Sequence, residues 1–278
     1  MPNGIEAKGA TLDFPSRHAS SMVCWNADSH VLLGRADRKS TEGVIVASRA
    51  GFAISVNQTK GVSQLLCRAG FRGPAKVSVA LWEQQALANA QKFYERSSVA
   101  LETGIGMLAA TMLIAAVVNR SWVYMAFFAW LLLSMRMAAI SAGTDLQFFG
   151  YSLDPSTLIN SKKWTICLYF SMTGLIFILI FKKELERIRF AWGINSVKIV
   201  IFIIPVLCAF FEYEKFLAIL WTNAAIFALV LFYYLIKIVR SVHSRAAYWF
   251  MASMVITLLA GVSGIISAAL GLTLLAAG

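Results

Sequence analysis

The stretch WTICLYFSMTGLIFILIF (Trp164–Phe181), followed at once by KKELERIR (Lys182–Arg189), decides how this chain must lie. Coiled as a helix, an uncharged run of this length reaches across a hydrocarbon core of ~30 Å at ~1.5 Å per residue. The basic cluster behind it marks one end of the crossing. Short cytoplasmic loops carry an excess of Lys and Arg, so that end is expected to face the cell interior. Every other crossing then takes its direction by counting.

Composition agrees with a membrane chain. Residues are 59% hydrophobic and only 14% charged, with a mean hydropathy of +0.69; a soluble domain carries about a quarter charged residues. The net charge of +11 does not indicate nucleic-acid binding, because about half the basic residues flank apolar runs, where they act as orientation signals. Apolar runs predict about six spans: Gly104–Val118, Trp122–Ala142, Trp164–Phe181, Val197–Phe211, Phe216–Ile238 and Ala246 to about Ala269. With the third span ending inside, the inner side receives Arg120, Lys182, Lys183, Arg187, Arg189, Lys237, Arg240 and Arg245, and the outer loops only Lys162, Lys163 and Lys215. That imbalance is the one expected of a correctly threaded bundle.

The front third reads differently. Residues 1–20 are polar and irregular, and residues 21–83 hold short β-like runs broken by Gly and polar turns: Met22–Trp25, Val44–Ala47, Phe52–Val56, Leu65–Cys67 and Val77–Trp82. Such runs predict a small antiparallel sheet or sandwich. About 80 residues are thin for a sandwich of ~100, so front strands are expected to lie outside this sequence. From Glu83 the period becomes helical, and no Pro or turn cluster intervenes before the first span. The chain should therefore pass as one helix from about Gln84 into the membrane, with residues 84–102 as a linking helix and 103–278 as the transmembrane domain. Residues 1–30 hold no apolar core of a signal peptide, so the first span, or a segment ahead of this sequence, is expected to carry the domain across. Cys24 and Cys67 fall in the outer domain; a disulfide between them and a pair of buried thiols are both open readings.

Candidate sites are few. Arg136 is the one charge well inside a predicted span, either functional or snorkelling to the near interface. Its natural partners are Asp145 and Asp154, in an outer loop that also carries Phe148, Phe149 and Tyr151; that loop is either a lid and docking segment or an interfacial aromatic belt. Ala260, Gly264 and Ala268 form a small-residue ridge at four-residue spacing, suited to helix packing within the bundle or between copies in a homo-oligomer. Pro205 should kink its span. Gly104-Ile-Gly106-Met-Leu-Ala109 mimics a dinucleotide fingerprint but follows no strand, so it is read as part of a membrane helix. His18, His30 and His243 are scattered, so no metal site is expected, and neither a cofactor motif nor a nucleophile elbow, P-loop or zinc-protease motif occurs.

In its layout the chain resembles the bacterial seven-transmembrane receptors with diverse intracellular signalling modules. The resemblance rests on a strand like Gly73–Trp82, a helix leading to Leu101-Glu-Thr-Gly104-Ile-Gly106-Met-Leu, two closely spaced spans, an outer loop from Gly143 to Asp154-Pro155, and a charged inner loop after the third span. It implies a periplasmic sensor domain that binds a small ligand, carbohydrates among them, on a multi-pass protein of the bacterial inner membrane. It also implies a cytoplasmic output module, such as a diguanylate cyclase or histidine kinase, beyond a seventh span; neither lies in this sequence, so no catalysis is expected of the chain itself. The competing reading is a transporter or permease component, which should carry polar groups and broken helices near the midplane of matched repeats. Here only Asn223 and Pro205 answer to that description, and no repeat is evident.

Overall fold

The computed structural model describes residues 10–16, 19–37, 40–49, 51–59, 62, 64–71, 79–142, 155–187, 191–242 and 245–270. They form a small N-terminal β-sheet region followed by helices, four of which are long and apolar enough to span a membrane. The chain divides into two compact units; the strands and the start of the first helix, through Leu101, belong to one, and a run of helices beginning at Glu102 to the other.

Among the described residues, eight strands build two four-stranded antiparallel sheets. One runs β5 (Ile45–Ser48), β6 (Gly51–Ser55), β1 (Ala10–Phe14), β8 (Ala80–Glu83); the other runs β4 (Thr41–Gly43), β3 (Leu32–Asp37), β2 (Ala19–Asn26), β7 (Leu65–Phe71). Side chains alternate across a strand, so each sheet turns one row inward. Phe52, Ile54 and Ile45 from the first sheet meet Ala19, Met22, Cys24 and Ala36 from the second in one buried core. A register shift between Ala19 and Ser21 keeps both Ala19 and Met22 on the core side. Gly51 must be glycine, since a Cβ there would collide with the carbonyl oxygen of Phe14 on β1.

The expectation that residues 1–20 are irregular is corrected for Ala10–Phe14. That segment is an inner strand of the first sheet, between β6 and β8. β3 and β4 also went unread, because Gly, Arg and Asp interrupt them. Of the last expected strand, residues 77–78 lie outside the described residues; the strand described is Ala80–Glu83, in which Ala80 and Trp82 are partly buried and Leu81 is exposed.

β8 ends at Glu83 and helix α1 begins at the next residue, running unbroken over 36 residues, Gln84–Asn119. Its far half presents Met107, Leu108, Ile114, Val117 and Val118 outward, a surface at home in lipid rather than water. Arg120 then takes a left-handed conformation (φ 48°), and the Ser121 N–H donates to the Ala116 carbonyl at 3.3 Å. That 6→1 bond is the helix-ending Schellman arrangement.

α2 (Trp122–Ala142), α3 (Pro155–Ile180), the short α4 (Lys182–Arg187), α5 (Ala191–Phe210), α6 (Tyr213–Val242) and α7 (Arg245–Leu270) follow. Spans of sufficient length lie in α1, α2, α3 and α6; the apolar stretches Val197–Phe210 of α5 and Arg245–Leu259 of α7 are shorter, at 10–17 residues. α3 starts at Pro155 rather than near Trp164, which brings Lys162 and Lys163 into a helix instead of a loop. Phe177 of α3 and Phe181, just past its end, pack with Phe227, Leu231, Leu235 and Ile238 of α6. Gly174 allows that approach: a Cβ there would come within 2.8 Å of the Phe227 ring and 2.9 Å of Ile201.

Candidate functional site

The junction between sandwich and helix is held by an ion pair. Asp13 on β1 is wholly buried, and its Oδ2 accepts a hydrogen bond from an Arg49 guanidinium nitrogen. Arg49 occupies the tight turn between β5 and β6 in a left-handed conformation (φ 45°), costly for a residue with a Cβ. Its guanidinium carbon stands 5.1 Å from the centre of the Trp82 ring, within cation–π range. β1 pairs with β8 in the register Thr11 to Trp82 and Asp13 to Ala80, so Asp13 and Trp82 share the sheet face turned away from the sandwich core. One side chain thus ties the β5–β6 turn, an inner strand and the strand that becomes α1. Asp13 Oδ1, Ser48 Oγ, Arg49 Nε and Trp82 Nε1 are buried without a hydrogen-bond partner among the described residues.

Cys24 and Cys67 form a disulfide across directly paired positions of β2 and β7, with Cα atoms 4.2 Å apart. Of the two readings open from sequence, the bonded one is present. Beside it, between the sheets, lies a cavity of about 110 Å³ walled by Phe14, Ser16, Ala19, Met22, Phe52, Cys67, Ala69 and Phe71.

In the helical unit, Arg136 of α2 is 5% exposed. It is enclosed by protein. Asp145, Phe148, Phe149, Tyr151 and Asp154 lie outside the described residues, as do the side chains of Ala260, Gly264 and Ala268 on α7. Lys163 of α3 is also buried, and its Nζ donates to the Phe211 carbonyl at 3.0 Å, at the end of α5, where the helix dipole favours a cation. Trp130 of α2 docks on α3 by stacking on Tyr169, ring centres 5.7 Å apart, and by donating from Nε1 to Thr173 Oγ1 at 3.0 Å.

Pro205 sits inside α5 without ending it. Proline has no N–H to give the carbonyl four residues back, which is that of Ile201. Ser171 of α3 fills the gap: its hydroxyl donates to the Ile201 oxygen at 3.2 Å. Inside a bilayer such a freed carbonyl has to be satisfied by a neighbouring helix.

Asp13, Arg49, Trp82, Lys163 and Ser171 were not singled out from the sequence. Only Pro205 carried a signal, since a span containing proline calls for a donor nearby. Among the described residues no cluster of three His, Cys, Asp or Glu side chains could hold a metal. Comparison of the chain with protein families, curated proteins and solved structures finds no match.

Proposed function

We propose that this chain is the sensory input region of a membrane signalling protein. Its β-sandwich stands outside the cytoplasm, on the periplasmic side of a bacterial inner membrane, and detects a small ligand. Six helices of the bundle cross the bilayer and carry the response toward a cytoplasmic output module. The observation that carries this reading is the passage from β8 into α1 with no intervening loop. A helix is a stiff rod, about 54 Å long here at ~1.5 Å per residue; a shift of β8 moves α1 with it. The disulfide supports the outside placement, because such bonds persist in oxidising compartments and are rare in the cytosol. Basic residues at the ends assigned to the interior support the same orientation, and the layout shared with seven-transmembrane receptors supports the receptor role.

A ligand shifts such a system only by binding one state better than another. The test perturbs the sandwich and reads the spans. Reduction of the disulfide in the full chain should alter amide hydrogen exchange in α1 beyond Leu101. With Ala90→Pro the change should stop at the new proline. Unchanged exchange in the membrane half of α1 in the unsubstituted chain, after the sandwich has loosened, would sink the reading.

A further inference from the structure

We propose that the cavity between the sheets binds a small apolar molecule, aromatic or short hydrocarbon, no larger than benzene. This deepens the sensor reading and rests on it for its consequence, though not for the binding itself. The walls decide the ligand class. Phe14, Met22, Phe52 and Phe71 supply rings and a thioether, and Ala69 and Cys67 supply the floor. Ring edges and a polarisable sulfur favour aromatic guests. Among the described residues no charged side chain lines the cavity, and Ser16 is the one polar side chain there. Water occupies about 30 Å³ and needs 2–4 polar partners, so a volume of about 110 Å³ has room for water but little to hold it. Apolar cavities of about this scale take up benzene or xenon. A sugar needs a hydrogen-bond partner for each buried hydroxyl; among the described residues the walls offer one side-chain partner, the Ser16 hydroxyl, too few for the carbohydrate suggested by the receptor resemblance.

Position gives the site its consequence. Phe14 follows Asp13, and Asp13 pairs with Ala80 at the start of β8. The cavity therefore abuts the end of the sandwich where β8 begins, and β8 runs from there to the start of α1. A guest wedged between Phe14 and Phe71 presses on β1, which carries β8 as its paired neighbour. The disulfide pins β2 to β7 on the other sheet, so that wall yields less.

The probe is benzene, added to the full chain with ¹³C-methyl methionines. Met22 should show a saturable shift exceeding those of Met125 and Met172 in the spans, which report partition into lipid or detergent. Ala69→Leu fills the cavity and should abolish the excess shift, and so should Ala19→Val. Should neither variant fold, nuclear Overhauser contacts from benzene to Met22 and Phe52 in the unsubstituted chain decide the matter. A Met22 shift that only tracks the span methionines, filled variants that respond like the parent, or absent contacts at saturation would each overturn the proposal. Saturable binding that leaves α1 exchange unchanged would keep this site and sink the sensor reading. Coupling through α1 without benzene binding would do the reverse.

Discussion

Asp13 is wholly buried and Arg49 15% exposed at its side chain, so removing one or the other partner has unequal effects. Arg49→Ala strands a carboxylate in the interior and should destabilise the sandwich by about 3–5 kcal/mol. Asp13→Ala leaves a guanidinium that can turn toward water, and should cost less. Asp13→Val with Arg49→Met should recover most of the loss, because apolar replacement of a buried pair is often neutral or better. Thermal unfolding of the purified chain checks all three. The same pair explains why β1 escaped the sequence reading. Its pattern, Thr-Leu-Asp-Phe, puts a carboxylate in mid-strand, where burial looks forbidden until the arginine that neutralises it is known. That arginine lies 36 positions away and carries no local signal.

At the level of elements, helices were the legible part and their contacts were not. Apolar length marks a crossing in any lipid environment, and the change of period at Glu83 announced α1. Pro205 was visible as a helix-breaking residue, yet the donor that rescues it stands on another helix. This pairing makes a quantitative expectation. Ser171→Ala should cost about 0.6–1.7 kcal/mol, the range of hydrogen bonds between membrane helices. In a Pro205→Ala background the new N–H satisfies Ile201, so the same serine change should cost nearly nothing. A double-mutant cycle in detergent unfolding measures the difference; equal costs in both backgrounds would contradict the account. Arg120 offers a second check. It ends α1 in a left-handed conformation that glycine adopts freely, so Arg120→Gly should stabilise the helix end by about 1 kcal/mol, seen as slower amide exchange near Ala116. At Gly174 a new Cβ would meet the buried Phe227 ring and Ile201 at 2.8–2.9 Å. Gly174→Ala should cost less than Gly174→Leu, which should separate α3 from α6 and lose about 1–3 kcal/mol.

On the scale of the whole molecule, two independent physical signals bear on orientation. One is the distribution of Lys and Arg, legible from sequence because insertion reads charge close to the spans. The other is the Cys24–Cys67 bond, for which sequence left two readings because strand pairing sets which cysteines meet. Removing it with Cys24→Ala and Cys67→Ala should lower sandwich stability by about 2–5 kcal/mol. The central claim is that the disulfide-bonded sandwich and the basic ends of the helices face opposite sides of the membrane. Epitopes inserted after Asp28, in the β2–β3 turn, and after Glu186, in α4, test it when probed with antibody on right-side-out vesicles before and after opening them. The account requires the Asp28 epitope to be accessible at once and the Glu186 epitope only after opening. An Asp28 epitope that stays protected until the vesicles are opened would contradict it.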